Sequence, residues 1–160
     1  MPRGQPRPQA AMMLVAGMVP AMKNAVARWS GTKVRFGIES GSGHSVATDE
    51  APVFGEDSAM RPTEMLLAAL AGCTGTNAIL LLKKFKQPLV SLDVEVEGEQ
   101  DEEWPKAFNK IDVTFRCGWE GKYDKELVEQ ALDMACNRYC PIHATLSKGT
   151  PIEHHKKDVR

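Results

Sequence analysis

Two of the four cysteines stand where a thiol could take part in chemistry. Cys73 lies near the middle of an uncharged run, residues 65–82, where a rigid helix would hold its sulfur at a fixed point inside the structure. Cys140 immediately precedes Pro141. A proline at the first position of a short helix makes Cys140 the cap residue, where unpaired N–H groups and the helix dipole favour thiolate over thiol. Cys140 is therefore predicted to be reactive.

The other two cysteines, Cys117 and Cys136, are predicted to have structural roles, and a zinc site is the weaker alternative. Cys117 follows a strand-like segment and Cys136 lies at the edge of a helical apolar stripe, so both are predicted to be structural thiols. Cys136, Cys140 and His143 form a C-x3-C-x2-H pattern, but no second paired cluster completes a closed zinc site. No metal is therefore expected.

Because a free cysteine packs as a small hydrophobe, Cys73 judged from its helix alone is better explained as a core residue.

The segment that carries Cys73 predicts one long helix. The helix is predicted within residues 61–84, RPTEMLLAALAGCTGTNAILLLKK. Pro62 suits its first turn, and the two lysines at the end of the run suit the negative end of a helix. A helix that is apolar on every side must be enclosed in a core or an interface. Gly72 and Gly75 each cost about 1 kcal/mol in a helix interior, which indicates a close neighbour. Small and polar residues at its centre argue against a membrane span.

The segments around this helix are predicted to form short strands and a second helix. Short strands are expected at residues 24–29, 33–38 and 44–48, with a loop over residues 50–60. Arg35 would alternate with its strand neighbours and face either solvent or a polar cleft. Residues 89–99 and 110–116 alternate with period two and should pair, and a second helix over residues 125–137, capped by Asp124, should cover the sheet.

Composition limits the partners and the compartment. The 160 residues carry 20 basic and 21 acidic side chains, a net charge of −1 that gives no reason to expect nucleic acid or an anionic membrane as partner. Four cysteines in a chain of this size do not form a secreted disulfide framework, so a reducing cytoplasm is expected. Residues 1–21 have the outline of a signal peptide, but cleavage near Ala25 would remove half of the first strand. They are predicted to be a dispensable, disordered extension of a single domain, residues 22–160.

Two motifs, each containing a cysteine, carry a family resemblance. MRPTEMLLAALAGCTGTNAILLLKKF, residues 60–85, and NRYCPIHATLSKG, residues 137–149, resemble the OsmC/Ohr family of thiol-dependent hydroperoxide reductases, and more closely its OsmC-like branch. The resemblance implies an α+β fold that forms an intertwined homodimer. Antiparallel sheets would surround two long central helices, with an active site at each side of the dimer interface.

The resemblance also implies roles for individual residues. Cys73 resembles the peroxidatic cysteine and Cys140 the resolving one. The family holds its thiolate with an arginine from an N-terminal strand, for which Arg35 is the best candidate by position and Arg61 the alternative. In the hydroperoxide-reductase branch a glutamate that follows the helix-opening proline pairs with this arginine.

The position of that glutamate is a departure from the family pattern. Thr63 follows the proline in this chain, and the acid stands one place later, at Glu64. One place is about 100° around a helix, which leaves open whether Glu64 points into the site.

The implied function is peroxide reduction in oxidative-stress defence. Organic hydroperoxide would oxidise Cys73 to a sulfenic acid, Cys140 would form a disulfide with it, and an external dithiol, lipoyl-type in the family, would reduce that disulfide. No metal or flavin cofactor is implied. Two alternatives stay open: a redox-sensing or thiol-storing protein without efficient turnover, and a module that binds an apolar ligand.

Overall fold

The computed structural model describes residues 23–149 and 152–158. Within it the chain divides into two compact units, one that ends at Ala59 and one that begins at Met60. The predicted extension, residues 1–21, lies outside the described residues. A single domain over residues 22–160 remains a prediction.

The first unit is a three-stranded antiparallel sheet. Its strands pair in the order β1, β2, β3, and they span Ala25–Trp29, Phe36–Ser40 and Ser45–Thr48. The predicted hairpin and third strand are thus confirmed, but β2 begins three residues later than expected because the turn is wider. Gly31 and Lys33 adopt φ angles of 84° and 42°, and Ser30 N donates to Arg35 O at 3.0 Å. Arg35 therefore lies exposed at the end of this turn, and the expected strand alternation does not apply to it.

The loop after β3 is organised by one buried carboxylate. Asp49 is 2% exposed. Its oxygens accept hydrogen bonds from Glu50 N at 2.9 Å, from Glu56 N and Ser58 N at 3.1 Å each, and from Ser58 Oγ at 2.7 Å. The predicted loop is therefore ordered around a satisfied acid in place of an apolar core.

The second unit packs three helices against a three-stranded sheet. The elements follow in the order α1 (Pro62–Lys84), β4 (Leu89–Gln100), β5 (Phe108–Trp119), α2 (Lys125–Asn137), α3 (Pro141–Leu146) and β6 (Ile152–Asp158). β4 and β5 form the predicted antiparallel pair, and α1 packs against both β4 and α2. Asp124 caps α2 as expected, accepting from Leu127 N at 3.1 Å. The predicted α+β class is confirmed.

Strand β6 was not predicted from the sequence. It pairs parallel to β5, so the sheet order is β4, β5, β6. Its sequence, IEHHKKD, has a polar residue at nearly every position and shows no apolar alternation. Its end is held by Asp158, which accepts hydrogen bonds from Trp119 Nε1 at 2.8 Å and Tyr123 OH at 3.0 Å.

One side of α1, the closed face, is packed inside the second unit. Leu70, Ala78 and Leu82 on this face are fully buried. A Cβ built at Gly75 would lie 3.1 Å from Cγ2 of Val94 on β4, so the helix and the sheet are in close contact there. The close neighbour expected at this glycine is confirmed.

The other side of α1, the open face, is apolar and has no covering element in the described second unit. Leu66 and Ile79 are each 37% exposed, Leu80 is 62% exposed, and a Cβ at Gly72 would meet nothing within 4 Å. The second unit alone therefore does not enclose the helix on every side, and enclosure of the open face in an interface stays a prediction. By length and composition α1 could cross a membrane, yet six of its residues are buried in the second unit, as in the core helix of a globular domain.

Candidate active site

Cys73 lies at the border between the closed and open faces of α1. It is half-buried, and around the helix it lies about 20° from Leu66 of the open face and about 60° from Leu70 of the closed face. Asn77, one turn further on, donates from Nδ2 to Cys73 O at 3.0 Å, and the same nitrogen lies 4.0 Å from Cys73 Sγ. The sulfur is thus held by a rigid element and can be reached from the uncovered side.

Cys140 reaches the same point from α3. As predicted, it is the N-cap residue of this helix, and its Sγ accepts a hydrogen bond from His143 N at 3.3 Å. It is 2% exposed, and its thiol is in hydrogen-bonding contact with Cys73. Two free thiols that stand 67 positions apart in the sequence are therefore brought together, in a pair of which only Cys73 is open to solvent.

The Cys140 thiol is not poised as a thiolate. Burial, together with the hydrogen bond to Cys73, raises the pKa of Cys140 to about 11, although the backbone N–H groups of Ile142 and His143 act in the opposite direction. The expected cap is present, but the expected preference for thiolate is wrong because desolvation of the charge outweighs the cap. At neutral pH this side chain is a thiol that can donate a proton.

The other two cysteines are buried. Cys117 lies within β5, not after it as predicted, and burial raises its pKa to about 11. Cys136, in the last turn of α2, has a pKa raised to about 12, again mainly by burial. Both side chains are fully inaccessible, and their assignment as structural thiols stays a prediction.

His143 is a buried imidazole beside the pair. It is 6% exposed, and its Nε2 has no hydrogen-bond partner in the described part of the chain. Burial, and then the neighbouring His154, lower its pKa, so the ring is neutral at pH 7.

The C-x3-C-x2-H pattern does not converge on a metal position. Across residues 23–149 and 152–158, the group of potential ligands whose atoms lie within 4.8 Å of one another is Asp112, Glu153 and His155. That group is partly or fully exposed, and Lys110 Nζ already contacts Asp112 Oδ2 at 2.9 Å. An ammonium thus occupies the position that a cation would take.

Glu64 stabilises the start of α1. Its carboxylate accepts from Arg61 N at 2.9 Å and pairs with Arg61 Nη1 at 3.1 Å, which forms a capping box. The backbone hydrogen bond is the main cause of the lowered pKa of Glu64. Nine positions separate Glu64 from Cys73, or about two and a half turns and roughly 13 Å along the axis. The two side chains therefore leave opposite sides of the helix, and one protomer does not bring Glu64 to the thiol pair.

Arg35, the predicted cation of the site, does not belong to the unit that carries the two cysteines. Arg35 belongs to the first unit, in the exposed turn before β2. Its role at the thiol pair stays a prediction. Asn77 was not among the predicted site residues, although its spacing of four from Cys73 places both on one helix face.

Comparisons with known proteins agree with this fold. The family model described as OsmC-like protein matches residues 55–155. Protein YhfA of Escherichia coli K12 is 32% identical over 116 residues, which cover 72% of this chain and 84% of that protein. The chain belongs to the OsmC-like family.

Solved structures support the same fold at lower identity. An OsmC-like protein from Mycoplasma pneumoniae superposes with a TM-score of 0.75 at 17% identity, covering 89% of this chain and all of the other. An organic hydroperoxide resistance protein OsmC from Legionella pneumophila gives a TM-score of 0.62 at 17% identity, covering 85% and 96% of the two chains. At these identities the similarity establishes the fold alone.

Proposed function

We propose that this protein is a cysteine-based peroxidase that reduces organic hydroperoxides in oxidative-stress defence. The observation that carries the proposal is the contact between two free thiols, half-buried Cys73 and buried Cys140. Such a pair can be oxidised to a disulfide without moving either helix far. The fold shared with an organic hydroperoxide resistance protein supports the choice of substrate class.

The difference in exposure supports the two roles that we propose. Cys73 is the thiol that a peroxide can reach, and its thiolate attacks the distal oxygen, so that the O–O bond breaks, the alkoxide leaves and is protonated to the alcohol, and a sulfenic acid remains. Cys140 is inaccessible to substrate but contacts Cys73. Its sulfur then displaces hydroxide, which leaves as water, and forms the disulfide. An external dithiol, of lipoyl type in this proposal, reduces that disulfide and is itself oxidised.

The open face favours organic over inorganic peroxide and also predicts assembly. Leu66, Ile79 and Leu80 present apolar surface next to Cys73, and exposed apolar area of this kind marks a binding surface. A second copy of the chain is the proposed occupant, because Gly72 leaves room there for the close approach of another helix. The resulting homodimer would enclose the thiol pair in apolar surroundings.

The contributions of Arg35 and Glu64 also depend on the proposed dimer. Within one protomer Glu64 caps α1 and leaves the side opposite Cys73. In this proposal Glu64 acts on a thiol pair only across the interface, and Arg35 supplies the cation that holds the Cys73 thiolate. Mixing Glu64→Gln with Cys73→Ser protein tests the first point: recovered activity in mixed dimers supports action across the interface, and its absence contradicts it. Arg35→Lys and Arg61→Lys, assayed side by side, identify the cation.

The deciding experiment follows hydroperoxide consumption and its products. With cumene hydroperoxide and dihydrolipoamide, the wild type should turn over, and Cys73→Ser should lose all turnover while keeping its fold, since serine is nearly isosteric. Cys140→Ser should consume about one equivalent and then over-oxidise Cys73 to a sulfinic acid. Cys117→Ser, which removes a buried thiol away from the pair, is the matched control and should turn over normally. An unmodified Cys73 in active enzyme would refute the proposal.

A redox sensor is the second candidate. Burial of Cys140 leaves the disulfide open to an external reductant only through Cys73, which would slow reduction and favour a long-lived oxidised state. A sensor would form the Cys73–Cys140 disulfide with one equivalent of peroxide yet show little steady-state consumption. Mass spectrometry and turnover, measured on the same sample, separate the two functions.

A further inference from the structure

Asn77 contacts Cys73 at two atoms. Its Nδ2 donates to the backbone oxygen of Cys73 at 3.0 Å and lies 4.0 Å from the sulfur. An amide nitrogen carries two hydrogens. The bond to the backbone oxygen uses one of them and holds the side chain in place, so the other remains for the sulfur. A distance of 4.0 Å is the outer limit of a hydrogen bond to a neutral thiol.

We infer that Asn77 is a positioning residue that holds the Cys73 sulfur and stabilises its thiolate, a role that deepens and rests on the proposed peroxidase function. Hydrogen bonds become shorter and stronger when the acceptor carries a charge, so this contact favours the thiolate over the thiol. Asn77 is half-buried, which reduces the competition from water for the same amide hydrogen.

The second unit itself offers Cys73 a neutral donor, which would act in addition to the Arg35 cation proposed above. Two titratable groups of the described second unit interact with Cys73, the thiols of Cys140 on α3 and Cys136 on α2. Burial raises the pKa of each, to about 11 and about 12, so both are uncharged at pH 7 and neither supplies a positive charge. The Asn77 amide is the polar donor that α1 itself contributes.

The test measures the reactivity of Cys73 as a function of pH. Wild type and variants are alkylated with iodoacetamide, and the Cys73 peptide is quantified by mass spectrometry. In Asn77→Ala the midpoint of the pH profile should move upward, with alkylation at pH 7 about three- to tenfold slower. Asn77→Asp, which keeps the shape but replaces the donor with a carboxylate, should be slower still.

Asn137→Ala is the matched control. Asn137 ends α2 and donates to Asp133 Oδ1 at 2.6 Å on an exposed surface, so its profile should equal that of the wild type. If Asn77→Ala does not fold, the isosteric Asp variant alone decides. A profile for Asn77→Asp within twofold of the wild type at every pH overturns the inference.

The alkylation assay contains no peroxide, so it separates the two proposals. If the wild type lacks turnover but the profile still shifts, the role of Asn77 holds and the peroxidase proposal is wrong. If turnover is present and the profile does not shift, the peroxidase holds and Asn77 only stabilises the helix. When both hold, kcat/KM for cumene hydroperoxide at pH 7 should fall by the same factor as the alkylation rate.

Discussion

Helix α1 places Leu82 in the centre of its own unit and Leu80, two positions earlier, on an uncovered surface. Both are leucines in the same uncharged run, and hydrophobicity alone does not distinguish them. The closed face is packed against β4 and α2, whereas the open face has no covering element in the described unit. The difference shows that the second unit encloses only part of a helix that is apolar all round, which leaves the open face for the second copy that we propose.

The strongest test of this comparison is a pair of leucine substitutions. Leu82→Ala removes a fully buried side chain and should lower the free energy of unfolding by about 2–5 kcal/mol. Leu80→Ala, at 62% exposure, should cost the protomer little and should instead weaken self-association. Urea titrations at several protein concentrations, together with sedimentation, separate the two effects. Equal losses that do not depend on concentration would show that the faces do not differ.

Substitutions at the two glycines of α1 test the same difference between the closed and open faces, with smaller expected changes in stability. An alanine Cβ at Gly72 meets nothing within 4 Å, so Gly72→Ala should add up to about 1 kcal/mol of helix stability to the protomer. At Gly75 the same Cβ comes within 3.1 Å of Val94, which offsets that gain, and Gly75→Val should cost about 1–3 kcal/mol. If a second copy approaches closely at Gly72, Gly72→Val should weaken the dimer without unfolding the chain. Unchanged sedimentation of Gly72→Val would place the interface elsewhere.

The smallest effect concerns the buried imidazole beside the closed face. Burial lowers the pKa of His143, so the unfolded chain binds a proton more readily than the folded one below about pH 6.5. Stability should therefore fall as the pH falls through this range. His143→Leu removes an unsatisfied buried nitrogen and should flatten the decline, measured as Tm between pH 7.5 and pH 5. The same change at exposed His44 should leave the decline unaltered, and an unflattened His143→Leu profile would contradict the assignment.

Periodicity and turn chemistry predicted much of the second unit. The long helix, the β4–β5 pair, α2 with its Asp124 cap and the α3 cap at Cys140 all follow from local signals that the structure keeps. Strand β6 could not be predicted, because its polar sequence obtains its order from pairing with β5 and not from a buried face of its own.

The electrostatics of the site depended on distant contacts. The cap at Cys140 was visible in the sequence, but the burial that outweighs it comes from α1 and α2, which are far away along the chain. Asn77 was visible on the same face as Cys73, but only the side-chain conformation shows that its amide contacts the sulfur. Arg35 was assigned to a strand because the positive φ angle of Lys33, which widens the turn, has no clear sequence signal in a non-glycine residue.

The parallel pairing of β6 has a consequence for biosynthesis. β5 lies between β4 and β6, so until β6 has been made, one side of β5 remains an unpaired edge along most of its twelve residues. Three side chains on that strand, Ile111, Val113 and Phe115, belong to the core. A long apolar edge of this kind is a template for pairing with other chains. A chain that stops before Ile152 should therefore tend to aggregate, because it lacks the strand that pairs with this edge of β5.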